Sequence, residues 1–154
     1  MNTSYIGSIG EEIAVKTLLE EGYTVLERNA KLCDCEVDIV CECYLDKNGN
    51  LIKQSNNRLL KKLHSFFKKN SKKNGERTVV FCEVKTRYGD LYGTPEDAIT
   101  PYKIGRYVTF AKAYILKHCL HNAKMRFDVM AIDDDGCRHI VGAFDENDAK
   151  YSRR

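Results

Sequence analysis

The run Thr78-Val79-Val80-Phe81-Cys82-Glu83-Val84-Lys85 reads as a β-strand, and its alternation constrains what the chain can fold into. Side chains in a strand alternate faces, so Glu83 and Lys85 point one way, while Val80, Cys82 and Val84 point the other and read as core. A carboxylate and an ammonium thus share one face of an otherwise apolar strand.

The segments around this strand set the fold class. Ser8-Ile9-Gly10-Glu11 has the form of a capping box that opens a helix, Ile13, Ala14 and Leu18 form its apolar stripe, and Gly22 is placed to end it. Tyr23 to Glu27 alternates as a first strand. Glu36 to Leu45 reads as a second, with Val37, Ile39, Cys41 and Cys43 on one face and Asp38, Val40 and Glu42 on the other. Asp46-Lys47-Asn48-Gly49-Asn50 is a turn signal. Beyond it, Leu59, Leu60, Leu63, Phe66 and Phe67 have the spacing of an amphipathic helix, followed by the polar run Asn70 to Gly75. Thr94-Pro95-Glu96-Asp97 and Thr100-Pro101 each pair an N-cap residue with proline at the first helical position. The second starts a helix to about His118, with Ile104, Tyr107, Val108, Ala111 and Ile115 as its stripe. Arg126 to Ile132 and His139 to Phe144 read as the last two strands, joined around Asp133-Asp134-Asp135-Gly136. The order is helix, three strands with an insertion, helix, two strands, which predicts an α/β sandwich around a mixed central sheet flanked by helices. A chain of 154 residues is read as one domain, residues 1–154, with a basic insertion at about 45–77.

Charge and cysteine usage narrow the class. The chain carries +3 overall, but Lys53 to Arg77 holds nine cations against the single acid Glu76, a net +8, leaving the rest at −5. Such a block, which includes Lys61, Lys62, Lys68 and Lys69, suits phosphates, although charge runs are commonly solvated helix faces. The cysteine count of seven is odd and no export signal is visible, which argues against a disulfide framework. Cys41 and Cys43 continue the face of Val37 and Ile39 as small hydrophobes, and neither C-x-C pair has the two-residue spacing of a zinc knuckle. Cys33 and Cys35 precede the strand and are open to exposure. No window approaches the ~20 apolar residues that span a bilayer, so a cytoplasmic location without a membrane partner is expected.

Asp38 on the second strand and Glu83 on the third converge if those strands are neighbours. Two carboxylates can hold a hard divalent cation such as Mg2+, which keeps several waters. Lys85 is then placed to hold a water or to stabilise charge growing on a phosphate. The bland alternative is Asp38 capping a strand end and Glu83–Lys85 forming an exposed ion pair.

The motifs Gly7-x-x-Gly10-Glu11-x-x-Ala14, Gly22-Tyr23-x-x-Leu26-x-Arg28-Asn29, Glu36-Val37-Asp38-Ile39-Val40, Val80 to Arg87, Gly93-x-Pro95-x-x-Ala98-Ile99, Lys103 and Arg126-Phe127-Asp128-Val129 run through most of the chain. Together they resemble the YraN-type family of endonuclease-like proteins in the restriction-endonuclease-like PD-(D/E)xK superfamily. The resemblance leaves out the insertion and the last ten residues. It implies a restriction-endonuclease-like three-layer sandwich and metal-dependent hydrolysis of phosphodiester bonds in DNA, with branched or flapped DNA among the candidate substrates, and with Mg2+ or Mn2+. It implies Asp38, Glu83 and the backbone carbonyl of Val84 as metal ligands, Lys85 as the catalytic lysine, and Glu11 as an additional acid of the kind seen in Holliday-junction resolvases. Arg87 and Lys103 become phosphate- or site-facing cations. Lys103 and Tyr107 share a helix face, with Tyr107 read first as a core aromatic. Two departures stand out: Cys35 replaces a usual glycine before Glu36, and the insertion replaces a short turn. Symmetric cutting of both strands would call for a homodimer. The competing readings are a non-catalytic nucleic-acid-binding module and a protein-interaction domain that uses the Leu59–Phe67 stripe.

Overall fold

The computed structural model describes residues 3–53, 75–87 and 100–149. The basic insertion with Lys61, Lys62, Lys68 and Lys69, and the Thr94-Pro95 helix start, lie outside the described residues. In chain order the elements are α1 (Thr3–Glu21), β1 (Thr24–Leu32), β2 (Cys35–Leu45), β3 (Glu76–Thr86), α2 (Pro101–Lys117), β4 (Lys124–Asp133) and β5 (Gly136–Phe144). The five strands form one sheet in the order β1-β2-β3-β4-β5. Neighbours are antiparallel except β3 and β4, which run parallel. The parallel pair needs a crossover, and the connection that contains α2 supplies it. The expected α/β sandwich with a mixed sheet is what the chain forms.

The two helices cover opposite faces. Ala14 and Leu18 of α1 pack with Ile39, Cys41, Cys43, Val80, Cys82, Met130 and Ile132. On the other side Ile104, Tyr107, Phe110, Ala111 and Tyr114 of α2 pack with Val40, Val79, Phe81, Phe127, Val129 and Phe144. Phe81 sits at the centre of that side, with edge-to-face contacts to Phe110 and Tyr114. β3 is therefore buried on both faces, which is why its apolar run is nearly continuous. Cys41 and Cys43 are core hydrophobes, as their alternation predicts, while Cys33 is exposed and Cys35 buried.

Several expectations need correction. Ser8 and Glu11 do not cap α1: the helix already runs from Thr3, so both lie inside it. Gly10, also inside, is where α1 meets the sheet, since a Cβ there would lie 2.1 Å from Oγ1 of Thr86. Gly22 does end the helix. At φ 107° its N–H donates to the Leu19 carbonyl at 3.2 Å, and the Tyr23 N–H donates to Leu18 at 2.9 Å. That pairing closes the last turn and needs a left-handed residue. β1 continues to Leu32, past the expected Glu27, because its polar residues are paired with β2 along one edge of the sheet. Val37 joins the α2-side cluster rather than that of Ile39. It lies where β2 pairs with β1 alone, and two-stranded ribbons twist strongly enough to turn a side chain out of strict alternation. The stripe of α2 is centred on Phe110 and Tyr114, with Val108 and Ile115 only partly buried.

The Asp46 turn forms as read: its Oδ1 accepts from the Asn48 and Asn50 N–H groups, both at 2.8 Å. The chain then returns through a Leu45–Leu51 bridge.

Candidate active site

β2 and β3 are paired from Leu45↔Glu76 down to Ile39↔Cys82. The same register would set Val37 opposite Val84, but the ladder stops there. Instead, the Val84 N–H donates to Oδ2 of Asp38 at 2.7 Å. The carboxylate takes over a ladder donor at the point where the two strands part. In an antiparallel pair a residue's N–H and C=O face the same neighbour, so the Val84 carbonyl is turned toward this gap too.

Glu83 sits on the α2 side of β3 and is 3% exposed. One carboxylate oxygen accepts from Nζ of Lys85 at 2.5 Å and also from Nζ of Lys103; the other accepts from the Tyr107 hydroxyl. Lys103 and Tyr107 are one turn apart on α2. The helix start fixes them: Thr100 is the N-cap, its hydroxyl accepts from the Lys103 N–H at 3.3 Å, and Pro101 occupies the first turn. Tyr107 is thus a core aromatic whose hydroxyl belongs to the site, and the reading of it as core alone is incomplete. The ring is 1% exposed and packs edge-on against Phe144.

The electrostatics separate the two acids. Burial and then the Glu83 charge push the Asp38 carboxyl up to about 6, against the Val84 N–H and the two lysines. Burial also works to raise Glu83, but the bonds from Lys103, Lys85 and Tyr107 outweigh it and hold Glu83 below the usual range. Burial works to lower Lys85, and Glu83 overrides it and raises the ammonium. Tyr107 is raised by burial and by Glu83, so it remains a hydroxyl donor. Near neutral pH the group holds an ionised Glu83, a charged Lys85 and an Asp38 that is largely ionised and takes up its proton as pH falls to about 6. Lys85 in this state can hold a water or steady an anion, and cannot serve as a base.

Glu11 is placed beside this group rather than bonded within it. Its carboxylate accepts from Nδ2 of Asn29 at 3.1 Å and lies 3.7 Å from the Arg28 guanidinium, which also pairs with Glu12 at 2.8 Å. The pairings Arg28↔Ile39 and Ala30↔Val37 set Asn29 across from Asp38. Asn29 has φ 50°, a left-handed conformation that asparagine tolerates better than most residues. Glu11 therefore reaches the cross-strand neighbour of Asp38. Asn29 closes the Arg28-Asn29 motif in the sequence, with no role attached to it there, and it lies beyond the expected end of the first strand at Glu27; the longer β1 is what gives it a place beside Asp38. Arg87 follows β3, where its N–H donates to the Ile132 carbonyl at 2.8 Å. Asp128, fully buried, holds Arg126 through bonds of 2.9 and 2.7 Å, a structural role away from the Glu83 cluster.

Among the described residues no group of three or more His, Cys, Asp or Glu side chains gathers as a metal centre. The donors that fit a cation are the Asp38 and Glu83 carboxylates and the Val84 carbonyl, all hard oxygens, which suit Mg2+ or Mn2+ with water completing the shell. A cation between them would also relieve the repulsion that raises Asp38.

A mixed sheet carrying two acids and a lysine where neighbouring strands part defines a class of α/β proteins with a polar site on a covered sheet. Sequence comparison gives the family. The model of the uncharacterised protein family UPF0102 matches residues 10–132, and the chain belongs to that family. It is 36% identical over 144 residues to a UPF0102 protein of Pelobacter propionicus, covering 90% of this chain and 81% of that one. It is 35% identical over 128 residues to a UPF0102 protein of Clostridium botulinum (82% and 78% covered) and 32% identical over 145 residues to one of Clostridium tetani (90% and 93%). No helix among the described residues is long and apolar enough to cross a membrane.

Proposed function

We propose that this chain is a divalent-metal-dependent nuclease of the PD-(D/E)xK kind that hydrolyses phosphodiester bonds in DNA. The observation that carries the reading is Asp38. It is a carboxylate raised to about 6 by burial and the Glu83 charge, held where β2 leaves β3. An acid kept in that position at an electrostatic cost points to a cation that offsets the cost when bound.

Asp38, Glu83 and the Val84 carbonyl would hold Mg2+ or Mn2+, and the ion would supply charge to a phosphoryl oxygen and lower the pKa of a water. The chain's own groups do the rest. Lys85, kept charged by Glu83, stabilises the negative charge that grows on the phosphate. Lys103 and Tyr107 fix the Glu83 carboxylate from α2, and both donate to it from one helix face. Asn29 and Glu11 frame the Asp38 side of the gap.

The test is cleavage of linear, flapped and branched DNA with Mg2+ or Mn2+, alongside DNA binding measured without metal. Asp38→Asn and Glu83→Gln should each lose roughly 100-fold or more in rate, while affinity changes little. Cleavage that survives both substitutions would place the activity elsewhere. Binding without cleavage under any metal would leave the non-catalytic nucleic-acid-binding module as the function.

A further inference from the structure

We propose that a cavity beside the first turns of α2 is a nucleobase subsite, where Tyr102 stacks on an unpaired base of the DNA and Arg106 takes the adjoining phosphate. For the path of the DNA this rests on the reading of Asp38, Glu83 and Lys85 as a phosphodiester site.

The cavity has a volume of about 370 Å³ and is lined by Pro101, Tyr102, Gly105, Arg106 and Thr109 of α2 together with Cys33 and Ala149. That size is at the small end of ligand sites, large enough for a base and too small for a base pair with its backbones. Gly105 forms an open floor: a Cβ there would meet only the Ala149 side chain, at 3.9 Å. The Thr109 hydroxyl is turned onto the helix, donating to the Gly105 carbonyl at 2.9 Å. Tyr102 and Arg106, bonded to one another, bring a phenol and a guanidinium to the same lining.

An exposed tyrosine and an arginine on a helix are commonly ordinary surface residues. Three observations set this pair apart. Tyr102 is 68% exposed, so a large apolar ring stands open to solvent. The Arg106 guanidinium lies over that ring, 5.9 Å from its centre, in a cation–π arrangement. Arg106 is partnered by Tyr102 and the Cys35 thiol, neither of which is a carboxylate.

Position on the helix supplies the ligand class. Tyr102 directly precedes Lys103 and Arg106 directly precedes Tyr107, the pair that grips Glu83. Between the two stripes lies Cys35, whose thiol bonds Arg106 and also feels the charges of Lys103 and Glu83, so Arg106 borders the Glu83 cluster. A strand whose phosphate lies at the Asp38–Glu83 gap therefore has its neighbouring nucleotides beside Tyr102. A base can lie flat on a tyrosine only when it has left the duplex stack, so the subsite selects single-stranded arms, flaps or splayed junctions.

The chain has no tryptophan, which leaves 2-aminopurine fluorescence free of interference. The experiment uses the full chain without divalent metal and flapped DNA carrying 2-aminopurine at successive positions of the single-stranded arm. Quenching is expected at one or two positions and absent when the same base is paired. Tyr102→Ala should abolish it and weaken binding roughly 5- to 100-fold, whereas Tyr102→Phe keeps both. An abasic nucleotide at the quenched position should bring the wild type down to the affinity of Tyr102→Ala. Unchanged quenching in Tyr102→Ala, equal quenching of paired bases, or no DNA binding at all would overturn the proposal. The two readings fail separately. Quenching without cleavage under any metal keeps the subsite and ends the nuclease reading, whereas cleavage with no quenched position does the reverse.

Discussion

At Asp38 two costs add. The carboxylate is buried, and it faces another carboxylate, Glu83, whose own charge is secured by Lys103, Lys85 and Tyr107. The ionised form is therefore disfavoured in the fold, with a pKa near 6 against an ordinary 3.8. The sign follows from linkage. Below the unfolded value both states carry the proton and the group costs nothing; the penalty grows between the two pKa values and is complete above the folded one. Asp38→Asn keeps an acceptor for the Val84 N–H and removes the charge. It should stabilise the metal-free protein by on the order of 1 kcal/mol at about pH 7.5 and have almost no effect near about pH 3. Urea unfolding at the two pH values measures this. Saturating Mn2+ should erase or reverse the advantage, since only the wild type gains from the ion. A substitution that destabilises equally at both pH values would show that Asp38 is held as a hydrogen-bonding strut and carries no stored repulsion.

At the scale of elements, the seating of α1 on the sheet decides where Glu11 lies. Gly10, one residue earlier, touches Oγ1 of Thr86 at the end of β3 so closely that no Cβ fits. A glycine inside a helix gives up about 1 kcal/mol of helix propensity relative to alanine, so Gly10→Ala in isolation would be a gain. Here the gain competes with an overlap that must push α1 from the strand or rotate Thr86, at roughly 1–3 kcal/mol. The expectation is net destabilisation by about 1 kcal/mol with Thr86 in place, and a change of sign in the Thr86→Ala background, where the nearest atom is removed. A double-mutant cycle on denaturation midpoints reads the sign directly, and a Gly10→Ala effect indifferent to residue 86 would remove the contact from the account. The helix itself was legible, but its start was not. Ser8 and Glu11 have the capping spacing, while the sheet contact that lets the helix extend past Gly7 and Gly10 is tertiary and leaves no local signature. For α2 the local signals were sufficient: Thr100 and Pro101 start it where expected. Asp38, Glu83 and Lys85 were readable because alternation places side chains on faces. Asn29 was not, because its importance comes from a cross-strand register that only pairing reveals.

For the molecule as a whole, helices and sheet are joined on the α1 side by a buried polar network. Asp128 accepts from Arg126, from the Gly142 N–H at 2.8 Å, and from Nε2 of His139 at 2.8 Å. The other ring nitrogen of His139 meets Glu21 at the end of α1 at 2.5 Å, and Arg126 also donates to the Tyr23 hydroxyl at 2.7 Å. One network thus links α1, the entry to β1, β4 and β5. The sequence announced Arg126 and Asp128 as a motif but could not show that His139 completes it, since β4 and β5 had first to be paired around Met130↔His139. Burial works to lower His139, but Asp128 and then Glu21 outweigh it and raise the imidazolium. Asp128 is held low by His139 and Arg126 despite its burial. The histidine's contribution is complete below its unfolded pKa of 6.5 and is lost as pH rises through the raised folded value, when one carboxylate loses its donor. The Asp128 contribution runs the other way, present above the ordinary carboxylate value and lost as acid protonates the group. The fold should therefore be most resistant in mildly acidic solution. His139→Gln, which can satisfy one partner but carries no charge, should lower the melting temperature by several degrees at about pH 6 and by much less at about pH 9. Thermal unfolding across that range measures the difference. A deficit of the same size at both ends would mean that His139 acts by packing against the Tyr23 ring, 5.4 Å away, and that its charge contributes nothing to holding α1 on the sheet.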